Sequence, residues 1–367
     1  MIYLTDLMRS RPRDAPVTSL LLVLNVVVFL ATAVYGGGWW HSNVAVQLAL
    51  GANFGPATQD GQWWRLFTAM FMHFGVVHLA LNAWALWDVG RLVERVYGRL
   101  RFTAIYVLSG MAGNLLSLVV QGNQAVSGGA SGAIFSLYGA LLVFLWRERQ
   151  QVDRGEFRWL FGAASVFALV MLGMGLVIPG IDNAAHAGGL AAGALLGTLL
   201  AQPWAQGSSC SPRSRWSAAG LLALALAVLI ARIPPPLYRF GEELKARDAV
   251  RQFLQDDQRI SQNWATILEA GRQHNLSFEQ LAGSIETTVT LGYLESFEAM
   301  RAAHPGSAAP SAKALDALQI YAISRAAIAS DLADGLRTND SQKIKDALTQ
   351  AQTKSPRNLA KTPPPQR

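Results

Sequence analysis

Cysteine is almost missing from this 367-residue chain: there is one, Cys210. A disulfide scaffold is therefore excluded. Charge is scarce as well. Only 15% of residues are Asp, Glu, Lys or Arg, against about 25% in an ordinary soluble protein. With 51% hydrophobic residues, this excludes a disordered or collagen-like chain. Lysine is absent before Lys245. Residues 1–231 hold 14 of the 31 Lys+Arg and 9 of the 24 Asp+Glu, leaving 17 and 15 for residues 232–367. The chain thus has a long apolar part with sparse Arg clusters and a mixed-charge part of soluble composition. The first part reads as a membrane protein.

A helix needs about 20 apolar residues to cross the hydrocarbon core. Six candidate spans follow: 17–35, 66–87, 102–120, 130–146, 159–178 and 184–200. A shorter seventh, 217–230, is flanked by Trp216 and Arg232, which can reach the interface. Trp87, Trp146, Trp159, Trp204 and Trp216 fall at the proposed ends, as an aromatic belt requires. Arg9, Arg11 and Arg13 precede an apolar stretch of span length with no small-residue cleavage site, so no cleavable signal peptide is expected. Basic residues cluster before span 1 and after spans 2, 4 and 6, Arg65 being the exception. By the positive-inside rule the N-terminus is cytoplasmic and spans 2, 4 and 6 run inward from the outer face. The formal net charge of +7 then reports topology, and no nucleic-acid surface is expected.

Polar groups inside spans are costly and mark function by default. His78, Asn82, Ser131 and His186 fall on spans 2, 4 and 6, the three that share a direction. Ser131 and His186 belong to first turns, whereas His78 and Asn82 are expected midway along span 2. Their i, i+4 spacing puts them on one face, and His73 is expected to be rotated away from it. Gly189, Gly193 and Gly197 make a small-residue stripe on span 6, and Gly128, Gly132, Ser136 and Ala140 make another on span 4. Such stripes let two backbones approach closely, which would bring Ser131 near His186. A serine hydroxyl needs an adjacent imidazole to become nucleophilic, and the resulting oxyanion needs donors. His78, Asn82 and the Ser131 N–H can supply them. Each residue alone also has a plain structural reading. Ser131 is a small packing residue at a Gly-rich helix start, His186 a satisfied intramembrane histidine or part of an ion path, and Asn82 polar glue between helices. His73 is bonded to loop backbone, and Arg65 beside Trp63 and Trp64 is an interface anchor. Asp182 reads as a helix N-cap or as a triad acid for His186.

His73-x4-His78-x3-Asn82, Gly129-Ala130-Ser131-Gly132 and Ala185-His186-Ala187-Gly188-Gly189-x3-Gly193 resemble the three signatures of rhomboid intramembrane serine proteases. Trp64-Arg65 and Glu94-Arg95 with Gly98 are similar to that family's loop and cytoplasmic motifs. The resemblance covers roughly residues 15–205. It implies an all-α, polytopic six-helix bundle, here with a seventh transmembrane helix and a small soluble helical domain after it. It also implies a catalytic dyad of nucleophile Ser131 and general base His186, without an essential carboxylate. His78, Asn82 and the Ser131 amide would form the oxyanion hole, with Gly129, Gly132 and His73 in support. Phe135 stands where many relatives carry Tyr, so ring stacking on His186 is expected without a hydrogen bond. The loop 36–64 would lie partly in the outer leaflet. Span 5 and the loop 179–183 would gate and cap the site.

The implied function is hydrolysis of peptide bonds in or near transmembrane helices of single-span or polytopic membrane-protein substrates. A helix hides its carbonyls in its own hydrogen bonds, so the substrate must unwind before attack. No metal or cofactor is implied, there being no His-Glu-x-x-His and no Cys cluster. The lipid bilayer is the other partner. A non-catalytic relative that binds or escorts membrane helices is the alternative. A proton-coupled transporter would require acidic residues mid-span, whereas Asp88 is placed near the cytoplasmic end. A soluble α/β hydrolase needs G-x-S-x-G, and Ala133 stands at the last position.

The expected organisation is a cytoplasmic segment 1–16, a membrane domain 17–205 and a loop with the seventh span 206–232. An extracytoplasmic helical domain 233–354 and a disordered tail 355–367 complete it. Pro234-Pro235-Pro236 is a stiff linker. Val250, Phe253, Leu254, Trp264, Ile267 and Leu268 have helical spacing, as do Leu281, Ile285, Leu315, Leu318 and Ala322. Gly271, Pro305-Gly306 and Gly335 are expected breaks between helices. The Ala/Arg-rich membrane region suggests a bacterial inner (plasma) membrane, with the active site open to the extracytoplasmic side.

Overall fold

A computed structural model describes Leu4 and residues 11–203, 211–273 and 276–351. Arg9, Trp204 and the tail 355–367 lie outside the described residues. The helices are α1 (Pro16–Thr32), α2 (Val44–Leu50), α3 (Gly55–Gln59), α4 (Arg65–Thr68), α5 (Val76–Tyr97), α6 (Arg99–Gln121), α7 (Ser131–Glu148), α8 (Arg154–Val177), α9 (Asn183–Leu199) and α10 (Pro212–Ala231). Then come α11 (Phe240–Arg272), α12 (Phe278–Ile285), α13 (Leu291–Arg301), α14 (Ala312–Thr338) and α15 (Ser341–Ala351). Two short strands, β1 (Asn53–Phe54) and β2 (Val126–Ser127), pair antiparallel with Asn53 opposite Ser127. The chain divides into two compact units, one ending at Pro236 and one starting at Leu237.

In the first unit, α1 with its continuation to Gly37, and α6, α8 and α10, are each long and apolar enough to cross a membrane. A fifth candidate is the pair Arg65–Phe71 and Val76–Tyr97, bent by 94°. This corrects the expected span 66–87. The helix begins ten residues later, at Val76, and the apolar run from Leu66 to Phe71 is a separate element lying across it. The bend is built at Gly75, whose φ is +125°. A Cβ there would come within 2.5 Å of the Trp40 carbonyl, so only glycine closes this turn. His78 and Asn82 consequently lie in the first two turns of α5 and not midway along a span.

Helices α6, α7 and α9 form the centre through glycine contacts. A Cβ at Gly189 would come within 2.0 Å of the Gly132 carbonyl, one at Gly193 within 2.1 Å of the Ser136 carbonyl, and one at Gly113 within 2.6 Å of the Ala185 carbonyl. Lipid supplies no hydrophobic drive between helices, so backbone approach of this kind is what holds them together. Tyr97 adds hydrogen bonds from its hydroxyl to the Ala140 and Gly197 carbonyls. Glu94, buried in α5, accepts from the Val17 N–H, the Thr18 N–H and the Thr18 hydroxyl. It thereby satisfies first-turn donors of α1 that have no helical acceptor. Gly98, at φ +78°, turns the chain from α5 into α6.

Arg65 is not an interface anchor. It is buried, and its guanidinium donates to the Leu48 and Ala52 carbonyls and to Gln62 while lying over the Trp64 ring. It therefore clamps the folded loop between α1 and α4. At the other end of the unit, Arg215 donates to the Leu199 and Ala201 carbonyls and so caps α9. Leu226 and Leu229 of α10 pack with Leu115 and Leu118 of α6.

The second unit is a helical bundle whose core includes Phe253, Trp264, Ile285, Tyr293 and Leu318. None of its described helices is long and apolar enough to cross a membrane. Buried Glu243 accepts from the Ser311 N–H and hydroxyl at the start of α14 and pairs with Arg247. Asp257 accepts from the hydroxyls of Tyr293 and Tyr321. Of the expected breaks, Pro305-Gly306 falls between helices, but Gly271 and Gly335 lie inside α11 and α14. Gly335 gives room instead of a break: a Cβ would meet Ile344 at 3.1 Å. The helix ends at Asn339, in the left-handed region at φ +55°.

Candidate active site

The first turns of α5, α7 and α9 meet around one cavity of about 770 Å³. Ser131 is the first residue of α7 and His186 the fourth of α9. The Ser131 Oγ and His186 Nε2 lie 2.8 Å apart. Close packing of the two helices at Gly132 and Gly189 is what allows this approach. The Phe135 ring, one turn after Ser131, stacks on the His186 ring at 4.3 Å between centroids and 8° between planes. The imidazole is thus fixed by a ring on one side and a hydroxyl at its Nε2.

His78 and Asn82 line the same cavity. His78 Nδ1 accepts from the Phe74 N–H, which leaves the proton of a neutral ring on Nε2. That edge of the ring abuts Gly129, where a Cβ would sit 2.9 Å from His78 Nε2 and 3.7 Å from Ser131 Oγ. Gly129 has φ +142°. Asn82 commits one amide hydrogen to the His78 carbonyl at 2.8 Å and retains the other. The Ser131 N–H belongs to the first turn of α7, where no helical carbonyl accepts it. Three helix N-termini converge here, and their aligned peptide dipoles favour negative charge.

His73 lies in the bend before α5. Its ring meets that of His78 edge-on at 5.2 Å between centroids, so it is not rotated away from that face. His73 Nδ1 donates to the Phe71 carbonyl, and the His73 carbonyl accepts from Gln47.

Asp182 makes no hydrogen bond to the His186 ring. One carboxylate oxygen accepts from the Ala185 N–H and caps α9, while the other accepts from the hydroxyls of Ser117 and Ser127. It therefore joins α9 to α6 and to the strand leading into Gly129 and Ser131. Ser117 and Ser127 escape a reading of the sequence because each is a lone small polar residue whose partner lies 65 or 55 positions away. Asn183 is a similar case: its amide donates to the Leu172 carbonyl and ties α9 to α8.

Several apolar helices packed around a polar pocket built from their N-termini define a multi-pass membrane protein. Residues 60–203 match the model of the Rhomboid domain. The rhomboid protease GluP of Bacillus subtilis is 35% identical over 222 residues, covering 60% of this chain and 41% of GluP. YdcA of the same organism, a protein named for the rhomboid proteases, is 31% identical over 204 residues, covering 55% of this chain and 97% of its own. The rhomboid protease AarA of Providencia stuartii is 30% identical over 200 residues, covering 49% of this chain and 70% of AarA. The chain belongs to the rhomboid family. It spans less than half the length of GluP and of several plant rhomboid-like relatives.

Proposed function

We propose that the chain is an intramembrane serine endopeptidase that hydrolyses peptide bonds in or beside the transmembrane helices of membrane-protein substrates. The observation that carries this reading is the 2.8 Å approach of Ser131 Oγ to His186 Nε2 inside a cavity. His186 takes the hydroxyl proton as Ser131 attacks the scissile carbonyl, and later delivers it to the leaving amine. The oxyanion forms where the Ser131 N–H, His78 Nε2–H and the free Asn82 amide hydrogen converge. Donors already oriented at that point cost no reorganisation during the reaction. The acyl-enzyme is then hydrolysed by water entering the cavity. Asp182 serves as a helix cap and tie, leaving Ser131 and His186 as a dyad. Phe135 holds the imidazole plane, and Gly129 and Gly132 keep room for the oxyanion donors and for α9.

The topology that fits is seven spans with a cytoplasmic N-terminus, the broken pair around Gly75 counting as one and α7 and α9 as the short inner spans. The mouth then faces the extracytoplasmic side of a bacterial inner membrane. The linker after α10 supports the same side for the second unit: Asn123, just beyond α6, donates to the Pro235 carbonyl, and α6 ends at the mouth beside Gln121. The second unit is then a soluble extracytoplasmic domain.

The test is cleavage of single-span reporters by purified protein in liposomes, comparing wild type, Ser131→Ala and His186→Ala. Loss in both variants, with folding intact, is expected. Persistent cleavage by Ser131→Ala removes the assigned nucleophile. A silent wild type that still binds the reporter favours a helix-escorting role.

A further inference from the structure

We propose that the linker to the second unit is a strut of the active-site loop, and that Asn123 is a positioning residue that couples this unit to Ser131. This rests on the protease reading above. Helix α10 ends at Ala231, and Ile233, just beyond it, packs with Leu66, Leu115 and Leu118. Pro234-Pro235-Pro236 follows. Proline rings fix φ and remove the N–H groups, so the linker is stiff and its backbone can only accept hydrogen bonds. The Pro235 carbonyl does so: the Asn123 side-chain amide donates to it at 3.2 Å. Leu237, two residues on, opens the second unit.

The donor belongs to the loop that leads into the nucleophile. Helix α6 ends at Gln121, and Gly122 follows at φ +58°. A Cβ on Gly122 would meet the Pro234 ring at 3.6 Å, an ordinary contact distance. The Gly122 carbonyl in turn lies 2.2 Å from where a Cβ of Gly55 would stand. Residues 122 and 123 are therefore lodged between the linker and the start of α3. Further along, β2 pairs with β1, Ser127 donates to Asp182, and the Gly129 N–H donates to the Ala69 carbonyl. Ser131 stands eight residues after Asn123, and Gln121, Ala125, Val126 and Ser127 border its cavity. The loop thus has its far end fixed by β1, Asp182 and Ala69, and its near end held by α3 and the linker.

The strength of the bond limits what the tie can do. The Asn123–Pro235 bond is exposed, so water competes for both partners. A net hydrogen bond shifts an equilibrium by about two- to tenfold. That is too little to switch the site off, and enough to tune how often the loop holds Ser131 against His186. Such a bond also breaks and reforms readily. A change in the second unit that draws on the linker therefore reaches the loop.

Full-length protein in liposomes is compared with Asn123→Asp, which keeps the shape but has no donor, and Asn123→Gln, which keeps the donor. Turnover of a single-span reporter is counted per fluorophosphonate-reactive site. Asn123→Asp should lose about two- to tenfold in kcat with KM nearly constant. Amide exchange over residues 124–131 should quicken, and Asn123→Gln should recover part of both. Fewer reactive sites, with kcat per site and exchange unchanged, would make Asn123 merely structural and overturn the proposal. Coupling to the second unit is read with a protease-recognition sequence placed between Pro236 and Leu237. Cutting the otherwise wild-type protein there should lower kcat towards that of Asn123→Asp, and cutting the Asn123→Asp protein should change nothing more. An equal effect of cutting in both, or none in either, overturns the coupling through Asn123. Quickened exchange in Asn123→Asp, without cleavage of any reporter by wild type, would retain the strut and remove the protease reading.

Discussion

The Phe135 ring covers one face of the His186 ring, with centroids 4.3 Å apart and planes within 8° of parallel. Phe135 also approaches Phe167 of α8 at 6.2 Å, so the imidazole is held by a small aromatic stack. Aromatic contacts of this kind contribute about 0.5–1.5 kcal/mol beyond burial. Phe135→Leu should therefore lower kcat/KM by about two- to tenfold, since roughly 1.4 kcal/mol is a factor of ten. Phe135→Tyr keeps the ring and should keep most of the activity. Reporter kinetics, with thermal unfolding in detergent as a control for folding, check both.

What the sequence could carry is clear from Ser131 and His186. Both stand beside glycine stripes with period four, and a periodic stripe predicts which helices touch and along which line. The bend at Gly75 escapes the same treatment. A hydropathy window averages Leu66–Phe71 into the helix that follows, because both are apolar. The turn that separates them depends on one glycine with φ +125° under the Trp40 carbonyl. Averaged in this way, His78 and Asn82 read as mid-span, whereas the helix starts at Val76. Arg65 is hidden for a related reason: a charged residue beside tryptophans has the composition of an interface anchor, and only the fold supplies the Leu48 and Ala52 carbonyls that accept from it.

Gly129 leaves the space in which His78 and Ser131 face each other. A methyl group there would lie 2.9 Å from His78 Cε1 and Nε2, closer than carbon atoms tolerate, and φ +142° is a conformation that L residues avoid. Gly129→Ala should displace His78 from the oxyanion position. Loss of one such donor costs about 10²–10³ in kcat, so a fall of at least about a hundredfold is expected. His78→Ala should lower kcat to a similar extent, and the double variant should add little further. Full additivity of the two effects in kcat would show that Gly129 acts elsewhere.

The bonds of Asp182 to Ser117, Ser127 and the Ala185 N–H predict a graded series. Ser127→Ala removes the tie to the strand before Ser131 but leaves the α9 cap intact. Asp182→Ala removes all three bonds. Asp182→Asn keeps an acceptor for Ala185 and can donate to a serine oxygen. Activity should fall in the order wild type, Asn, Ser127→Ala, Asp182→Ala, the last by more than tenfold. The change should lie in kcat with KM nearly constant, because the tie sets the position of Ser131 against His186. Faster amide exchange over residues 124–131 in Asp182→Ala would report the loosened strand independently of activity. Unchanged exchange there would remove the tie as the cause.

In the second unit, Arg337 at the end of α14 donates two hydrogen bonds of 2.6 Å to Glu286 and one of 3.2 Å to Glu279. The bonds from Arg337 hold the Glu286 carboxyl below the usual glutamate range. A carboxyl whose folded value lies below its unfolded value of about 4.3 binds its proton more weakly when folded. Its stabilising effect is complete above that unfolded value and is lost as pH falls through the folded one. The site is exposed, so the effect is modest and screened by salt. In the full chain, amide protection over residues 279–290, corrected for intrinsic exchange, should exceed that of Glu286→Gln at pH 6. The gap should narrow as pH falls through the lowered folded value of the wild-type carboxyl, and shrink in high salt at neutral pH. A gap that is the same at every pH would mean that packing of the Glu286 side chain, and not its charge on Arg337, protects this segment.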